Sequence, residues 1–292
     1  MTAEPLSRRV ELGTGLCYHV LEWGADQAGL DHTVLLLHGF LDSSWGWAAA
    51  ARAGLAGRFH LIAPDLRGHG DTGWIGPGGY YHFIDYLADV DEIVRHFARD
   101  RLSVVGHSMG GNVAAYFTGA FPERVHRLAL LEGLGPPENE GSVPERVRGW
   151  LDAWRRVRER PVKSYADLAE AAARLRAHDP MLADELALEL AGHGTRAGDD
   201  GRLRFKHDPM HVTMGPTPFR VAYAAEFWRR ITCPVLVVDG EKSIFRAAGE
   251  EIERRLGFLP TARRALLPGA GHMMQRHQPA ALAELLTAFL TP

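Results

Sequence analysis

The chain has 292 residues, of which 46% are hydrophobic and 24% charged, and its formal net charge is −3 at pH 7. This balance is ordinary for a globular protein and gives no basis for a nucleic-acid partner. Since single cores stop growing near roughly 250–300 residues, the chain forms one large domain, one domain with a long insertion, or two domains.

The N-terminal segment, Met1 to Val10, is polar and lacks the apolar stretch of a secretory signal peptide. Elsewhere, no run of residues approaches the roughly 20 apolar residues that span a membrane. We therefore expect a soluble, cytoplasmic protein with no membrane span.

Short apolar runs of strand length recur along the chain, and most are apolar throughout rather than alternating. A hairpin comes first, with Val10–Leu12 and Leu16–Trp23 on either side of a Gly-Thr-Gly turn. The later runs are Thr33–Leu37, Phe59–Ala63, Leu102–Val105, Leu128–Leu131, Val235–Val238 and Arg264–Leu267. Uniformly apolar strands are typical of a parallel sheet that is covered on both faces.

Amphipathic helices are predicted between these strands. In Tyr81–Arg99 apolar residues recur at spacings of three and four, and Gly110–Gly119 and Pro279–Leu290 also have helical patterns. The alternation of strands and helices favours an α/β fold with a mostly parallel sheet.

A segment rich in Arg, Ala, Glu and Leu interrupts this alternation. The helices predicted within it are Pro144–Arg160, Ser164–His178 and Pro180–Ala191, and a polar loop follows at Gly192–Gly201. We interpret the segment as an insertion in the sheet topology. The predicted organisation is a core domain of residues 1–135 and 232–292, with residues 136–231 as a helical cap.

The strongest functional motif is Gly-His-Ser-Met-Gly-Gly at residues 106–111, between the apolar run Leu102–Val105 and a helical pattern. This is the context of a G-x-S-x-G nucleophile elbow. A very tight turn from strand to helix needs small residues around the central serine and exposes its hydroxyl at the helix N-terminus. Ser108 is therefore the candidate nucleophile.

A second motif suggests how a developing oxyanion is held. The apolar strand at residues 35–37 ends in His38, Gly39 and Phe40. Acyl transfer needs two hydrogen-bond donors for the oxyanion, usually backbone N–H groups. We predict that the N–H groups of Phe40 and Met109 form this oxyanion hole.

A serine nucleophile also needs a base. The chain has 15 histidines, so the candidate base is chosen by its position relative to the predicted strands. His272 follows the last strand run, in the sequence Gly-Ala-Gly-His, where a loop would return over the sheet end that carries the elbow. We predict His272 as the base. We expect structural or surface roles for the others singled out by position: His38, His69, His107, His178, His193, His207, His211 and His277.

The base in turn needs a carboxylate that orients its ring and stabilises the imidazolium. Glu132 directly follows the strand Leu128–Leu131, and a carboxylate at a strand's carboxyl end faces the same crevice as the elbow. Asp239 and Glu241 follow the strand Val235–Val238. The sequence favours Glu132 because a charge without a partner is costly there, and leaves Glu241 and Asp239 as alternatives.

These motifs together resemble the α/β-hydrolase superfamily in its serine-nucleophile branch. The resemblance covers roughly residues 10–135 and 233–290. The matching motifs are HGF at 38–40, PDLRGHGDT at 64–72, GHSMGG at 106–111, FPERV at 121–125 and GAGH at 269–272. A weaker similarity, at residues 38–42 and 132–137, points to the serine hydrolase-like group. The resemblance implies an eight-stranded, mostly parallel sheet with helices on both faces.

The resemblance also has one departure. Members of the family often carry an aspartate where this chain has Ser243. Some members, including a branch of the haloalkane dehalogenases, instead carry the acid after the strand that Glu132 terminates. Dehalogenases and epoxide hydrolases of this fold use an aspartate nucleophile, whereas this chain has Ser108, which is suited to forming an acyl-enzyme.

The function predicted from the sequence is a carboxylesterase-like serine hydrolase that cleaves an ester, thioester or lactone of a small, mainly apolar substrate. The alternatives are another cofactor-free reaction of this fold, namely C–C bond hydrolysis, perhydrolysis or acyl transfer, and a non-catalytic ligand receptor. No metal or organic cofactor is expected, since the mechanism needs none and Cys17 and Cys233 have no metal-binding spacing. Candidates for the substrate pocket are Trp150, Trp154, Met210, Met214, Phe219, Phe227 and Trp228.

Overall fold

The computed structural model describes residues 4–138 and 141–291, so parts of the predicted N-terminal segment and of the predicted cap lie outside the described residues. The strands are β1 (Leu6–Glu11), β2 (Cys17–Trp23), β3 (His32–Leu37), β4 (His60–Pro64), β5 (Arg101–His107), β6 (Arg127–Leu131), β7 (Thr195–Ala197), β8 (Leu203–Phe205), β9 (Val235–Gly240) and β10 (Ala262–Leu267). All but β7 and β8 form one sheet.

The α-helices are α1 (Ala48–Ala50), α2 (Asp85–Phe97), α3 (Met109–Ala120), α4 (Val143–Glu159), α5 (Leu168–His178), α6 (Asp184–Gly194), α7 (Val221–Trp228), α8 (Gly249–Leu256), α9 (Met274–His277) and α10 (Pro279–Leu290). Among residues 4–138 and 141–291, no helix combines the length and the apolar character needed to cross a membrane.

The large sheet has eight strands in the order β1-β2-β4-β3-β5-β6-β9-β10. β1 and β2 run antiparallel to each other and β2 runs antiparallel to β4, while the remaining neighbours are parallel. The predicted α/β-hydrolase fold with an eight-stranded, mostly parallel sheet is therefore confirmed. The carboxyl ends of β3, β5, β6 and β9 lie at one edge of the sheet.

Helices cover both faces because successive strand residues point to opposite sides. Leu35 and Val104 pack into one core with α2, α3 and α7. Their neighbours Leu36 and Val105 pack into the other core with α1 and α10. Uniformly apolar strands are thus buried on both sides, as their composition predicts.

Several element boundaries differ from the sequence prediction, including the starts of α2 and α5. α2 begins at Asp85 rather than Tyr81, because the Tyr81 hydroxyl donates to Asp208 Oδ2 at 2.8 Å and holds the preceding residues outside the helix. α5 begins at Leu168, where Asp167 accepts from the Glu170 N–H and caps the helix. The predicted loop at 192–201 instead carries the end of α6 and β7, which pairs with β8.

The segment between β6 and β9 contributes to two different cores. α5 and α6 pack on each other around Tyr165, Leu182 and Ala187. α7 packs against α3, and its Trp228 is fully buried in the main core. The 136–231 cap boundary stays a prediction, and these contacts group α7 with the layer that covers the sheet.

The contact between α3 and α7 is close enough to exclude a side chain. A Cβ at Gly119 would lie 2.4 Å from the backbone oxygen of Phe227, whereas a Cβ at Gly149 on α4 would meet nothing within 4 Å. We expect Gly119→Ala to lower the free energy of unfolding by about 1–3 kcal/mol, the usual cost of overpacking.

The same substitution at Gly149 is the matched control. It should raise the free energy of unfolding by up to about 1 kcal/mol, because alanine favours an exposed helix more than glycine does. Urea unfolding of the two variants measures both effects. A Gly119→Ala protein as stable as the unmodified chain would contradict the close packing of α7 on α3.

Candidate active site

Ser108 lies in a strained turn between β5 and α3. Its φ is 52° and its ψ is −117°, in a region that residues with a side chain rarely adopt. The turn is tight on both sides, since a Cβ at Gly106 would lie 2.4 Å from the Gly110 oxygen and a Cβ at Gly110 would lie 2.4 Å from the Leu37 oxygen. The strand-turn-helix context that the motif predicts is present.

His272 meets a carboxylate at the same edge of the sheet. Its Nδ1 donates to Glu132 Oε2 at 2.6 Å. The same oxygen accepts from the Ser243 hydroxyl at 2.8 Å, and Glu132 Oε1 accepts from the Gly240 N–H at 2.9 Å. The carboxylate therefore has three donors, and a single orientation satisfies all of them.

Burial and hydrogen bonding act on Glu132 in opposite directions. Only 4% of its side chain is exposed, against 25% for His272. Burial raises the pKa of Glu132, but the hydrogen bonds from His272, the Gly240 N–H and Ser243 outweigh it, so the pKa lies below its ordinary value. The carboxylate is therefore charged at neutral pH and favours a proton on His272 Nδ1.

The other two candidate acids have different partners. Asp239 is paired with Arg264. Glu241 accepts from the Gly269 N–H at 2.8 Å. The carboxylate in contact with His272 is therefore Glu132, and Ser243, at the position where family members often have an aspartate, donates to it.

Three further histidines hold loops around Ser108. His38 accepts from the Leu66 N–H at 2.9 Å through Nε2, which leaves Nδ1 to donate to the Gly39 oxygen at 2.7 Å. His69 accepts from the Leu41 N–H at 3.3 Å. His107 donates to the His272 backbone oxygen at 2.8 Å, and burial together with the neighbouring His272 lowers its pKa to about 3.

The two residues predicted to supply the oxyanion donors both lie near Ser108 in the structure. Met109 is the first residue of α3, where backbone N–H groups lack acceptors within the helix. The β3 loop comes close to the nucleophile, since a Cβ at Gly39 would lie 3.3 Å from Ser108 Cβ. Phe40 and Met109 both line the cavity that contains Ser108.

This cavity has a volume of about 1030 Å³ and reaches from Ser108 and Glu132 to the segment that precedes α7. Most of its wall is apolar or aromatic. The wall residues include Phe83, Ile84, Leu134, Pro136, Pro137, Pro216, Pro218, Phe219, Tyr223, Val237, Phe245 and Ile252. Such a space suits a small, mainly apolar molecule.

Of the seven pocket residues predicted from sequence, Phe219 lines this cavity and six lie elsewhere. Trp150 and Trp154 stack on each other along α4, with ring centroids 6.0 Å apart. Phe227 stacks on Tyr116, and Trp228 is buried near Phe258.

The remaining two pocket candidates are methionines close together in the chain. Met214 is exposed, and Met210 belongs to the short turn Pro209–Val212. Of the six candidates that lie outside the cavity, only Trp228 is fully buried.

The sequence did not predict Asn112, which is the polar residue of the cavity wall nearest to Ser108 along the chain. Asn112 lines the cavity one turn into α3. The helix around it is otherwise nearly apolar, with Val113, Ala114 and Ala115 following. A single amide in an apolar helix next to the nucleophile is the signal that could have identified it.

Comparison with known proteins agrees with this fold. A model of the alpha/beta hydrolase fold family matches residues 32–276. The chain is 23% identical over 289 residues to a serine hydrolase-like protein of Dictyostelium discoideum, covering 95% of this chain and 79% of that protein. It is 26% identical over 289 residues to a Bacillus subtilis protein named as a 2-succinyl-6-hydroxy-2,4-cyclohexadiene-1-carboxylate synthase, covering 97% of each.

Solved structures superpose along almost the whole chain. The thioesterase domain from the curacin biosynthetic pathway has a TM-score of 0.86 and 26% identity, covering 97% of this chain and 99% of that one. A hypothetical protein from Pseudomonas aeruginosa has a TM-score of 0.85 and 28% identity, covering 98% and 99%.

Because the pKa of Glu132 is lowered in the folded protein, the charge of this carboxylate contributes to the free energy of unfolding. A carboxylate with a depressed pKa stabilises the folded state above its ordinary pKa, and this stabilisation is lost as the pH falls through the folded value. We expect Glu132→Gln to lower the free energy of unfolding more at about pH 7 than at about pH 3, below the ordinary glutamate pKa. Urea unfolding at both pH values measures the two deficits, and equal deficits would contradict the assignment.

Proposed function

The chain belongs to the α/β-hydrolase family, and we propose that it is a serine hydrolase that cleaves a carboxylic ester, thioester or lactone of a small, mainly apolar substrate. One observation carries the proposal. His272 donates to the buried carboxylate of Glu132 at 2.6 Å, at the sheet edge where a strained turn holds Ser108. A serine, a histidine and a carboxylate at one sheet edge are the parts of an acyl-transfer site.

In the proposed acylation, Ser108 Oγ attacks the acyl carbonyl carbon while its proton passes to Nε2 of His272. The carbonyl π electrons move to oxygen, and the N–H groups of Phe40 and Met109 stabilise the resulting oxyanion. When the intermediate collapses, the bond to the leaving group breaks and His272 protonates the departing alcohol or thiol. The acyl group is then bound to Ser108.

Deacylation repeats these steps with water. His272 takes a proton from the water, which attacks the acyl carbonyl, and the ester bond to Ser108 breaks as the proton returns to Oγ. Glu132 stays charged throughout. Its role is to hold the Nδ1–H tautomer of His272 and to stabilise the imidazolium that forms twice in each cycle.

The predicted cap, residues 136–231, is proposed to roof the acyl pocket. Pro216, Pro218, Phe219 and Tyr223 of this segment line the cavity that contains Ser108. Because they are mainly apolar, they favour an acyl chain over a charged group. The thioesterase domain among the similar structures is consistent with a thioester as one form of the substrate.

A second candidate function is another cofactor-free reaction of this fold that does not cleave an ester, with C–C bond hydrolysis as one form. The observation that favours it is the name of the Bacillus subtilis relative, a synthase that matches 97% of the chain. A panel of p-nitrophenyl and thioester substrates separates the two candidates. Turnover of the panel supports the hydrolase, whereas a folded protein that cleaves none of them supports the second candidate.

We expect Ser108→Ala to lower kcat for p-nitrophenyl esters by about 10⁴-fold or more, because the covalent intermediate can no longer form. Release of p-nitrophenolate measures the effect. A fluorophosphonate probe should label the unmodified protein and leave Ser108→Ala unlabelled. Retained turnover by the variant would rule out the serine mechanism.

We expect Glu132→Gln to lower kcat by about 10²–10⁴-fold, because a carboxamide neither balances the imidazolium charge nor fixes the tautomer. Glu241→Gln is the matched control, since it makes the same change at a carboxylate that accepts from Gly269 instead. The kcat of the control should stay within about threefold of the unmodified protein, within the scatter of surface substitutions. If the loss falls on Glu241→Gln instead, the acid assignment is wrong.

A further inference from the structure

Arg146 places a cation in the cavity wall and binds a neutral group there. Arg146, near the start of α4, and Gly215 both line the cavity. Nε of Arg146 donates to the Gly215 oxygen at 2.8 Å. This bond holds the guanidinium at the wall, because its acceptor is itself a residue of the wall.

The outer edge of this guanidinium is open to a ligand. Nη1 and Nη2 of Arg146 have no hydrogen-bond partner among residues 4–138 and 141–291, and both nitrogens remain accessible rather than buried. Two parallel N–H groups on one edge of a planar guanidinium match the two oxygens of a carboxylate. Arg146 thus has the geometry for bidentate binding of an anion.

Each carboxylate that lines the cavity is paired with a cation of the protein. The pairs are Glu251 with Arg254 and Arg255, Asp239 with Arg264, and Glu132 with His272. Arg220, another arginine of the wall, also has a partner in the protein. Within the part of the chain that the structure describes, Arg146 has no carboxylate partner. Its positive charge is therefore available to a ligand.

The neighbours of Arg146 belong to the part of the wall that is proposed to cover the acyl chain. Gly215 directly precedes Pro216, and Pro218 and Phe219 follow in the same wall. A charge surrounded by apolar groups loses hydration, and an opposite charge on the ligand compensates for this loss. The wall therefore combines apolar surface for methylene groups with one site for an anion.

We propose that Arg146 determines specificity by binding a carboxylate at the far end of the acyl chain. This inference rests on the proposed function, because it places the acyl carbonyl at Ser108. The substrate class is an ω-carboxyacyl ester or thioester, whose methylene groups contact the apolar wall. A carboxylate fits better than a phosphate, because its single charge balances one guanidinium and leaves no second negative charge without a cation.

The test compares p-nitrophenyl hexanoate with mono-p-nitrophenyl adipate, and p-nitrophenyl octanoate with mono-p-nitrophenyl suberate. Within each pair the acyl chains have the same length, and the second ester adds a terminal carboxylate, which is charged at neutral pH. In the unmodified protein, kcat/KM for at least one carboxy ester should exceed that of its uncharged counterpart by about 10-fold or more, because charge-assisted hydrogen bonds to Arg146 form only with the carboxylate.

In Arg146→Met, this ratio should fall to about 1 or below, because methionine offers neither a charge nor a donor to the carboxylate. Arg146→Gln keeps a donor for the Gly215 oxygen without the charge, and serves if the methionine variant does not fold. Arg148→Met is the matched control, since Arg148 is exposed on the same helix and is not a residue of the cavity wall. The control should keep the preference for the carboxy ester.

Three results would overturn the proposal. The first is a ratio near 1 for both pairs of esters in the unmodified protein. The second is a preference that Arg146→Met retains. The third is an equal loss of the preference in Arg146→Met and Arg148→Met, which would assign it to the overall charge of the surface.

A charged leaving group tests the placement at the acyl end. The hexanoyl esters of phenol and of 4-hydroxyphenylacetic acid have the same acyl group, and the second carries a carboxylate on its leaving group. Similar kcat/KM values for these two esters support the placement. A preference for the charged leaving group that Arg146→Met abolishes would overturn it.

Failure of the proposed function is visible separately, as absence of turnover for every ester. Calorimetric binding of hexanamide and of adipic acid monoamide to the unmodified protein and to Arg146→Met then decides the inference on its own. Tighter binding of the monoamide that Arg146→Met abolishes supports the role of Arg146. Equal binding of the two amides to the unmodified protein overturns it.

Discussion

The active-site edge depends on backbone packed directly against backbone. A Cβ at Gly111 would lie 2.6 Å from the Cα of Gly133, so the start of α3 touches the chain immediately after β6. Gly133 follows Glu132, and Gly111 belongs to the helix that begins after Ser108. One contact between two glycines therefore sets the position of the nucleophile and of the carboxylate together. The strained φ of Ser108 persists because this packing leaves the turn no alternative.

The same geometry explains how the carboxylate can come from β6 although family members often carry it after β9. β6 and β9 are adjacent parallel strands, so their carboxyl ends lie side by side. The Glu132 N–H donates to the Val238 oxygen at 3.1 Å, and the Gly240 N–H donates back to the Glu132 side chain. Ser243 supplies a hydroxyl where an aspartate would supply the charge, and Glu132 is the carboxylate in contact with His272.

The fold could be predicted from the sequence because its signals are local, whereas the pocket could not. Apolar runs and glycine spacing specify strands and the turn at Ser108 through interactions within a few residues. The partner of a side chain on the segment between β6 and β9 depends instead on how distant helices dock. Trp228 and Trp150 thus satisfied a helical pattern but lie outside the cavity, and Asn112 lines it.

Burial has opposite consequences for the two polar groups that flank the nucleophile. In a medium of low dielectric constant, a charge is stable only when donors surround it. Glu132 has three donors from the protein, so burial strengthens its hydrogen bond to His272 and fixes the ring. Asn112 Oδ1 has none within the part of the chain that the structure describes, so burial leaves it with unsatisfied hydrogen-bonding capacity. A buried polar group that the protein satisfies gives positional order, whereas one that it leaves unsatisfied costs stability.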